Sequence, residues 1–300
     1  MPVDLRPLLP AGVPVGRILP LPDRGEVFFR HHTGGAPGAL PVLLLHGWTA
    51  SADIQFGTLY DRLGASHPFV APDHRGHGRG LRTPEPFTLE AVADDAAALV
   101  VALGLGKVIV LGYSMGGPIS LLFARRHPHL VAGLVLQATA LEFHDTRAER
   151  GRWVASAFLE TALRSRLAHR LAHHGLVRAV KENTALAGSQ NWLAGELRRG
   201  DHRAQAEAGR ALRHFDARPW ASSLGFPTSV LLTTRDRLVA PVKQRALAAA
   251  MRAEVVELHG DHYCNWFRGA EFAAATERLV ESVVARIDDA ATEASLAQAR

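Results

Sequence analysis

Val108-Ile109-Val110-Leu111-Gly112-Tyr113-Ser114-Met115-Gly116-Gly117 is the stretch on which the reading of the whole chain turns. Its opening apolar run, rich in β-branched residues, predicts a strand buried on both faces, as in a parallel sheet covered by helices. The run stops at Gly112, and Ile119, Leu122 and Phe123 then recur at the spacing of a helix packed on that sheet. Strand, sharp turn and helix form the setting in which Gly-x-Ser-x-Gly lifts a serine hydroxyl above the carboxyl end of a sheet. Such a turn strains Ser114, and Gly112 and Gly116 leave room because they carry no side chain. The helix that follows aims its first N–H groups at any negative charge developing nearby. The pentapeptide alone is common; its flanks make the case.

Upstream, Pro41-Val42-Leu43-Leu44-Leu45-His46-Gly47-Trp48 predicts a second central strand, ending in His-Gly. Acyl transfer needs two backbone N–H groups aimed at an oxyanion, one after the nucleophile and one from the loop after an earlier strand. Met115 and Trp48 are the expected donors, with Gly47 allowing close approach. Further strands are expected at Val27 to His32, Phe69 to Asp73 and Val131 to Gln137, after a proline-punctuated arm over residues 1–26 with one short edge strand. Helices are expected from Ile54 to Gly64 and from Thr88, as N-cap, to about Gly104, with Asp94 and Asp95 on the wet side. This alternation argues a parallel, doubly wound sheet.

The alternation breaks at Ala140. Alanine, arginine and leucine at helical spacing dominate residues 141–220, which predict a helical cap between two parts of a core, 1–140 and 221–300. Fourteen Arg and Lys against nine Asp and Glu in that segment account for the whole formal excess of +5, read as a solvated Arg-rich surface. Trp153, Phe158, Leu159, Leu163 and Trp192 are the apolar cap residues expected to face the sheet and the substrate. Trp48 and Tyr113, beside the serine, join Trp153 and Phe158 as candidate substrate contacts.

The sheet resumes at Pro227 to Thr234, followed at once by Asp236; Ala240-Pro241 then opens a helix. Val255 to Leu258 is the last expected strand, followed by His259-Gly260-Asp261-His262-Tyr263-Cys264, a helix from about Ala270 to Ile287 and a frayed tail. Ser114, Asp236 and His262 each follow a separate strand, so three distant points of sequence converge on one sheet edge. A serine hydroxyl is a poor nucleophile until a histidine takes its proton and a carboxylate holds that histidine in the right tautomer. His259 is expected to point back into the sheet end, Asp261 to diverge from its neighbour His262, Asp216 to lie in the cap, and Cys264 lacks an elbow. His74 with His77, and His169 with His173, lack partners at ligand spacing, so no metal is expected. Asp73 and Arg75 are expected to order their loop by hydrogen bonds and an ion pair.

Together, His46-Gly47-Trp48, Asp73-His74-Arg75-Gly76-His77-Gly78, Gly112 to Gly117, Asp236 and His262 resemble the α/β-hydrolase superfamily, from about residue 27 to 287. The resemblance implies a mostly parallel eight-stranded sheet flanked by helices, a cap inserted after the sixth strand, and no cofactor. With serine at 114, the likeness is to the esterase, lipase, peptidase, C–C hydrolase and perhydrolase branches, not to those attacking through aspartate. Gly260-Asp261-His262 departs from the Gly-His pair that often carries the base.

The expected activity is hydrolysis of a carboxylic ester through an acyl-enzyme, on a small-molecule substrate with an acyl group. The other readings are C–C hydrolase, peptidase or perhydrolase chemistry on the same groups, or a non-catalytic ligand-binding protein of the same fold. Apolar content of 47% and charged content of 21% are those of an ordinary globular chain. The single cysteine excludes an intramolecular disulfide and, with no secretory leader recognised, suggests the cytoplasm. No nucleic-acid motif accompanies the basic residues, no transmembrane segment is expected, and the oligomeric state is open.

Overall fold

The computed structural model describes residues 12–144, 151 and 190–298. Those residues form one sheet from β1 (Gly16–Leu21), β2 (Gly25–His32), β3 (Val42–Leu45), β4 (Phe69–Pro72), β5 (Val108–Tyr113), β6 (Val131–Gln137), β7 (Thr228–Thr233) and β8 (Glu254–Leu258). Spatial order is β1-β2-β4-β3-β5-β6-β7-β8, antiparallel at β1/β2 and β2/β4 and parallel elsewhere. Helices α1 (Ala52–Phe56), α2 (Tyr60–Ser66), α3 (Leu89–Ala102) and α4 (Gly116–Arg126) join the first six strands. Next come α5 (Gln190–Leu197) and α6 (His202–His214) between β6 and β7, then α7 (Pro241–Ala250), α8 (Cys264–Phe267) and α9 (Gly269–Gln298).

Side chains alternate across a strand, so a continuous apolar run feeds two layers at once. Leu43, Leu45, Val108 and Val110 join the core with residues of α3 and α4; Val42, Leu44, Ile109 and Leu111 join the core with residues of α2 and α9. All eight are fully buried. Each such burial stabilises by roughly 1.5–3 kcal/mol, and β3 is apolar throughout. The parallel register sets Leu45 beside Gly112 and Thr233 beside Leu258, so the loops after β3, β5, β7 and β8 emerge at one edge. The chain visits β4 on one flank of β3 before crossing to β5 on the other. A crevice at the strand ends of such a reversal is where α/β sheets take ligands.

Several expectations are corrected. The helix foreseen over Ile54 to Gly64 is two helices, because Gly57 and Thr58 are poor helix formers and the Thr58 hydroxyl donates to the Asn265 carbonyl at 3.1 Å. Asp95 is buried rather than wet, since the Arg75 guanidinium grips it twice, at 2.7 and 2.8 Å, and Arg24 adds a third bond at 2.8 Å. Asp73 and Arg75 therefore do not pair; Asp73 accepts from the backbone N–H groups of Ala52 and Arg79, each at 2.8 Å. The tail is not frayed before Gln298: alanines and glutamates extend α9 through it.

Between β6 and β7 the chain leaves the sheet and returns beside itself. Glu142 bridges Asp216, and the Ala217 N–H donates to the Leu141 carbonyl at 2.8 Å. Asp201 caps α6 by accepting from the Ala204 N–H at 2.9 Å, and Ala208, Gly209 and Leu212 form its buried face. Among the described residues no helix is long and apolar enough to cross a membrane.

Candidate active site

Ser114 sits at the end of β5 with φ of 52°, a left-handed conformation that a non-glycine residue holds only when its surroundings impose it. Its N–H donates to the Gln137 carbonyl at 2.9 Å, and its carbonyl accepts from the Thr139 hydroxyl at 2.8 Å and the Gly117 N–H at 2.9 Å. The flanking glycines are required by packing. A Cβ on Gly112 would stand 2.2 Å from the Gly116 oxygen, and one on Gly116 would stand 1.9 Å from the Leu45 oxygen. Both would be forbidden, so strand, turn and helix close on each other only with glycine at those two places.

The His262 loop, after β8, brings Nε2 to 2.9 Å from the Ser114 hydroxyl oxygen and Nδ1 to 2.7 Å from Oδ2 of Asp236. Because a carboxylate accepts only, Nδ1 carries the proton and Nε2 presents its lone pair to the serine O–H. Asp236 is itself fixed. Its Oδ1 accepts from the N–H groups of Leu238 and Val239 at 2.8 and 2.9 Å, and its Oδ2 from the Thr233 hydroxyl at 2.9 Å and the Gln244 amide at 3.3 Å. The turn after β3 lies alongside: a Cβ on Gly47 would reach 3.4 Å from that of Ser114. Met115 is buried at the N-cap of α4, where the first helical N–H groups have no partner within the helix. Trp48 is half-buried and turns its indole toward α6, its Nε1 donating to the Gln205 carbonyl at 2.7 Å.

Tyr113 is placed otherwise than expected. It shares the face of Ile109 and Leu111, is buried in the layer under α9, and offers no surface to a substrate. Its hydroxyl donates to the His262 carbonyl at 2.9 Å. Burial raises its pKa well above the usual phenol value, with nearby Cys264 adding to the effect. Trp153 and Phe158, with Leu159, Leu163, His169 and His173, lie outside the described residues, whereas Trp192 is buried on α5 beside Ile54 and Trp266.

The rivals stand apart from the serine. His259 is exposed rather than turned into the sheet end, because its Nδ1 meets the Thr234 hydroxyl at 3.1 Å on the outer rim. Asp261 accepts from the Tyr263 N–H at 2.9 Å, and Asp216 pairs with Arg218 at 2.7 Å. Cys264 is buried, and that burial pushes its thiol up to about 11. Gln244 was missed from sequence. It shares a helical face with Leu247 and Ala248, so a polar residue on a buried stripe was the available signal.

A second polar group lies behind the turn after β3. His46 accepts through Nε2 from the His74 N–H at 2.9 Å, its ring 3.8 Å from that of His74, while Nδ1 meets the Gly47 carbonyl at 2.8 Å. His77 Nδ1 meets the Arg75 carbonyl at 3.1 Å. Burial keeps all three imidazoles neutral, lowering His74 to about 3 and His77 to about 4. Burial also raises Asp73 to about 6, against the pull of the N–H groups of Arg79 and Ala52. Among the described residues no group of three or more His, Cys, Asp or Glu side chains could hold a metal ion.

Known proteins resemble parts of this chain in sequence and most of it in fold. A non-heme haloperoxidase of Rhodococcus erythropolis is 32% identical over 119 residues, 40% of this chain and 41% of its own. A pimeloyl-[acyl-carrier protein] methyl ester esterase of Neisseria meningitidis is 40% identical over 98 residues, 33% of this chain and 30% of its own. The matches thus span less than half the length of these relatives. A thermophilic esterase from Thermogutta terrifontis superposes with a TM-score of 0.73 at 22% identity, covering 90% of this chain and 99% of the other, and so shares the fold. The sequence profile of the alpha/beta hydrolase fold matches residues 41–268, and with the sheet order and elbow described above the chain belongs to that family of hydrolases.

Proposed function

We propose that the chain is a serine hydrolase that cleaves a carboxylic ester of a small molecule through an acyl-enzyme. The observation that carries this reading is the unbroken line of hydrogen bonds from Ser114 through His262 to Asp236, at 2.9 and 2.7 Å. In the first half-reaction His262 Nε2 takes the Ser114 proton as the oxygen attacks the ester carbonyl. The N–H groups of Met115 and Trp48 hold the oxyanion, and the imidazolium then gives its proton to the leaving alcohol. Asp236 keeps Nδ1 protonated and stabilises the imidazolium. Water repeats the attack, its proton passing to Nε2 and then back to Ser114 as the acid departs.

The segment 141–220 is the cap in this reading, the part of the chain assigned to selecting the acyl group. The relatives' own names support ester chemistry from one side and haloperoxidase chemistry from another. A perhydrolase would use the same acyl-enzyme with peroxide in place of water, so the first step is common to both. Ser114→Ala tests that step: turnover of a p-nitrophenyl ester falls at least about 10⁴-fold while the thermal melt is kept. Retained turnover in the folded variant removes Ser114 from the reaction. Assaying the wild type with water and peroxide as competing acceptors separates hydrolase from perhydrolase.

A further inference from the structure

The turn that carries Trp48 is held from the insertion as well as from the sheet. On the sheet side, the Gly47 N–H donates to Gln55 Oε1 at 3.3 Å and the Ala52 N–H to Asp73 Oδ1 at 2.8 Å. On the insertion side, Trp48 Nε1 donates to the Gln205 carbonyl of α6 at 2.7 Å, and Gly209 of that helix lets the indole lie against it. A Cβ on Gly209 would stand 2.7 Å from Trp48 Cζ2. Three residues on, the buried Ser51 hydroxyl donates to Glu196 Oε2 of α5 at 3.0 Å. Thr49, between the two anchors, has φ of 61°, a conformation that persists only where the surroundings over-determine it.

Glu196 is the unusual residue here, a wholly buried carboxylate contributed by the insertion. Its Oε1 takes the Arg79 guanidinium, which also meets Asp53 at 3.3 Å and Asp73 at 3.5 Å. Arg199, three residues on and just past the end of α5, adds its Nε at 3.0 Å, so the insertion itself supplies a counter-charge to Glu196. Arg30 and Arg79 likewise balance Asp53 and Asp73 beneath. Each side is neutral alone, so the two can meet without stranding a buried charge.

We infer that α5 and α6 position the oxyanion-binding turn, with Glu196 acting through Ser51 and Gln205 with Gly209 acting through Trp48, so that docking of the insertion assembles the reactive site. Glu196 and Ser51 are positioning residues; neither touches the reacting atoms. The inference rests on the function proposed above, because it takes the Trp48 N–H as an oxyanion donor. Displacing such a donor weakens binding of the transition state and leaves binding of the ground state nearly intact.

Trp48→Phe, Ser51→Ala, Glu196→Ala and the Ser51→Ala/Glu196→Ala double variant are assayed with a p-nitrophenyl ester. Affinity is measured in parallel for a trifluoromethyl ketone, which forms the tetrahedral oxyanion, and for the matched methyl ketone. Each single variant lowers kcat about tenfold, and trifluoromethyl ketone affinity drops in step with kcat/KM. KM and methyl ketone affinity stay within about twofold, and the double variant is no more than about twofold below the poorer single one. A raised KM with kcat kept, or single effects that multiply in the double variant, overturns the inference. Trp48→Phe loses the indole contact with α6 but keeps an aromatic side chain and the buried charges, so it decides the matter if the Glu196 variants do not fold. Wild-type Ser114 that resists a fluorophosphonate sinks the proposed function itself, whereas labelled wild type with contrary variants sinks only this inference.

Discussion

Two polar clusters lie at the carboxyl edge of the sheet, built from the same residue types. One joins Ser114, His262 and Asp236; the other joins Ser51, His46, His74, His77 and Asp73. In the second, backbone groups saturate nearly every polar atom. His46 is bonded at both nitrogens and Asp73 at both oxygens, and the site is closed to water. In the first, the carboxylate is as tightly held, but the line of bonds ends at a hydroxyl standing on a strained turn. On the function proposed above, residue type therefore does not separate chemistry from scaffolding. What separates them is whether the last atom of the chain of hydrogen bonds has a neighbour left to bind.

The sharpest way to break this contrast is to spoil the first cluster without emptying it. Asp236→Asn keeps the volume and the bonds from Leu238 and Val239 yet can present an amide to His262, inverting its tautomer. A fall in kcat of about 10³-fold or more is expected with little change in melting temperature. An ester-hydrolysis rate within tenfold of wild type would mean that His262 does not depend on this carboxylate. Next in size comes Gln244→Met, which removes the amide bonded to Asp236, to the Thr233 N–H at 2.9 Å and to the Val239 carbonyl at 2.8 Å. Leaving the last two buried and unpaired costs about 2–4 kcal/mol of stability. The freed carboxylate costs about tenfold in kcat, with KM unchanged. Loss of stability alone would leave Gln244 a purely structural residue.

The unevenness of the two clusters also explains what could be read from sequence. Strand runs such as Val42 to Leu45 declare themselves because both faces are buried; Ser114 and Asp236 follow such runs, whereas His262 follows the mostly exposed edge strand β8. Direction within the layer is legible too: the odd-numbered register of Tyr113 with Ile109 and Leu111 assigns it to the α9 side and away from a substrate. Partners were not legible. Arg75 chose Asp95 over Asp73, twenty residues away in sequence, and Glu196 reached Ser51 across 145. Such pairings depend on how layers stack, and charge patterning along one segment carries no record of it.

The smallest expected effect concerns the closed cluster and the pH dependence of folding. His74 and His77 titrate in the folded chain at about 3 and 4, below the 6.5 of an unfolded histidine, so unfolding binds protons between those limits. The stability they contribute is whole above pH 6.5 and is lost as pH falls through the window. Asp73 works in the opposite sense. Raised to about 6 from 3.8, it contributes fully below pH 3.8 and loses that contribution as pH rises toward 6. Two histidines, joined by His46 in the same direction, outweigh one carboxylate, so the net effect of acid is to destabilise. His77 is the most direct place to test this, because its Nε2 is buried without a partner and a proton there would find no acceptor. His77→Asn retains a donor near the position of Nδ1 for the Arg75 carbonyl but cannot titrate. Urea melts from pH 6.5 to pH 4 should lose up to one proton from the slope, about 1.4 kcal/mol per pH unit, while ester turnover at pH 7.5 is kept. An unchanged slope would show that His77 does not hold its neutral form against acid, and the line between a closed and a reactive cluster would have to be drawn elsewhere.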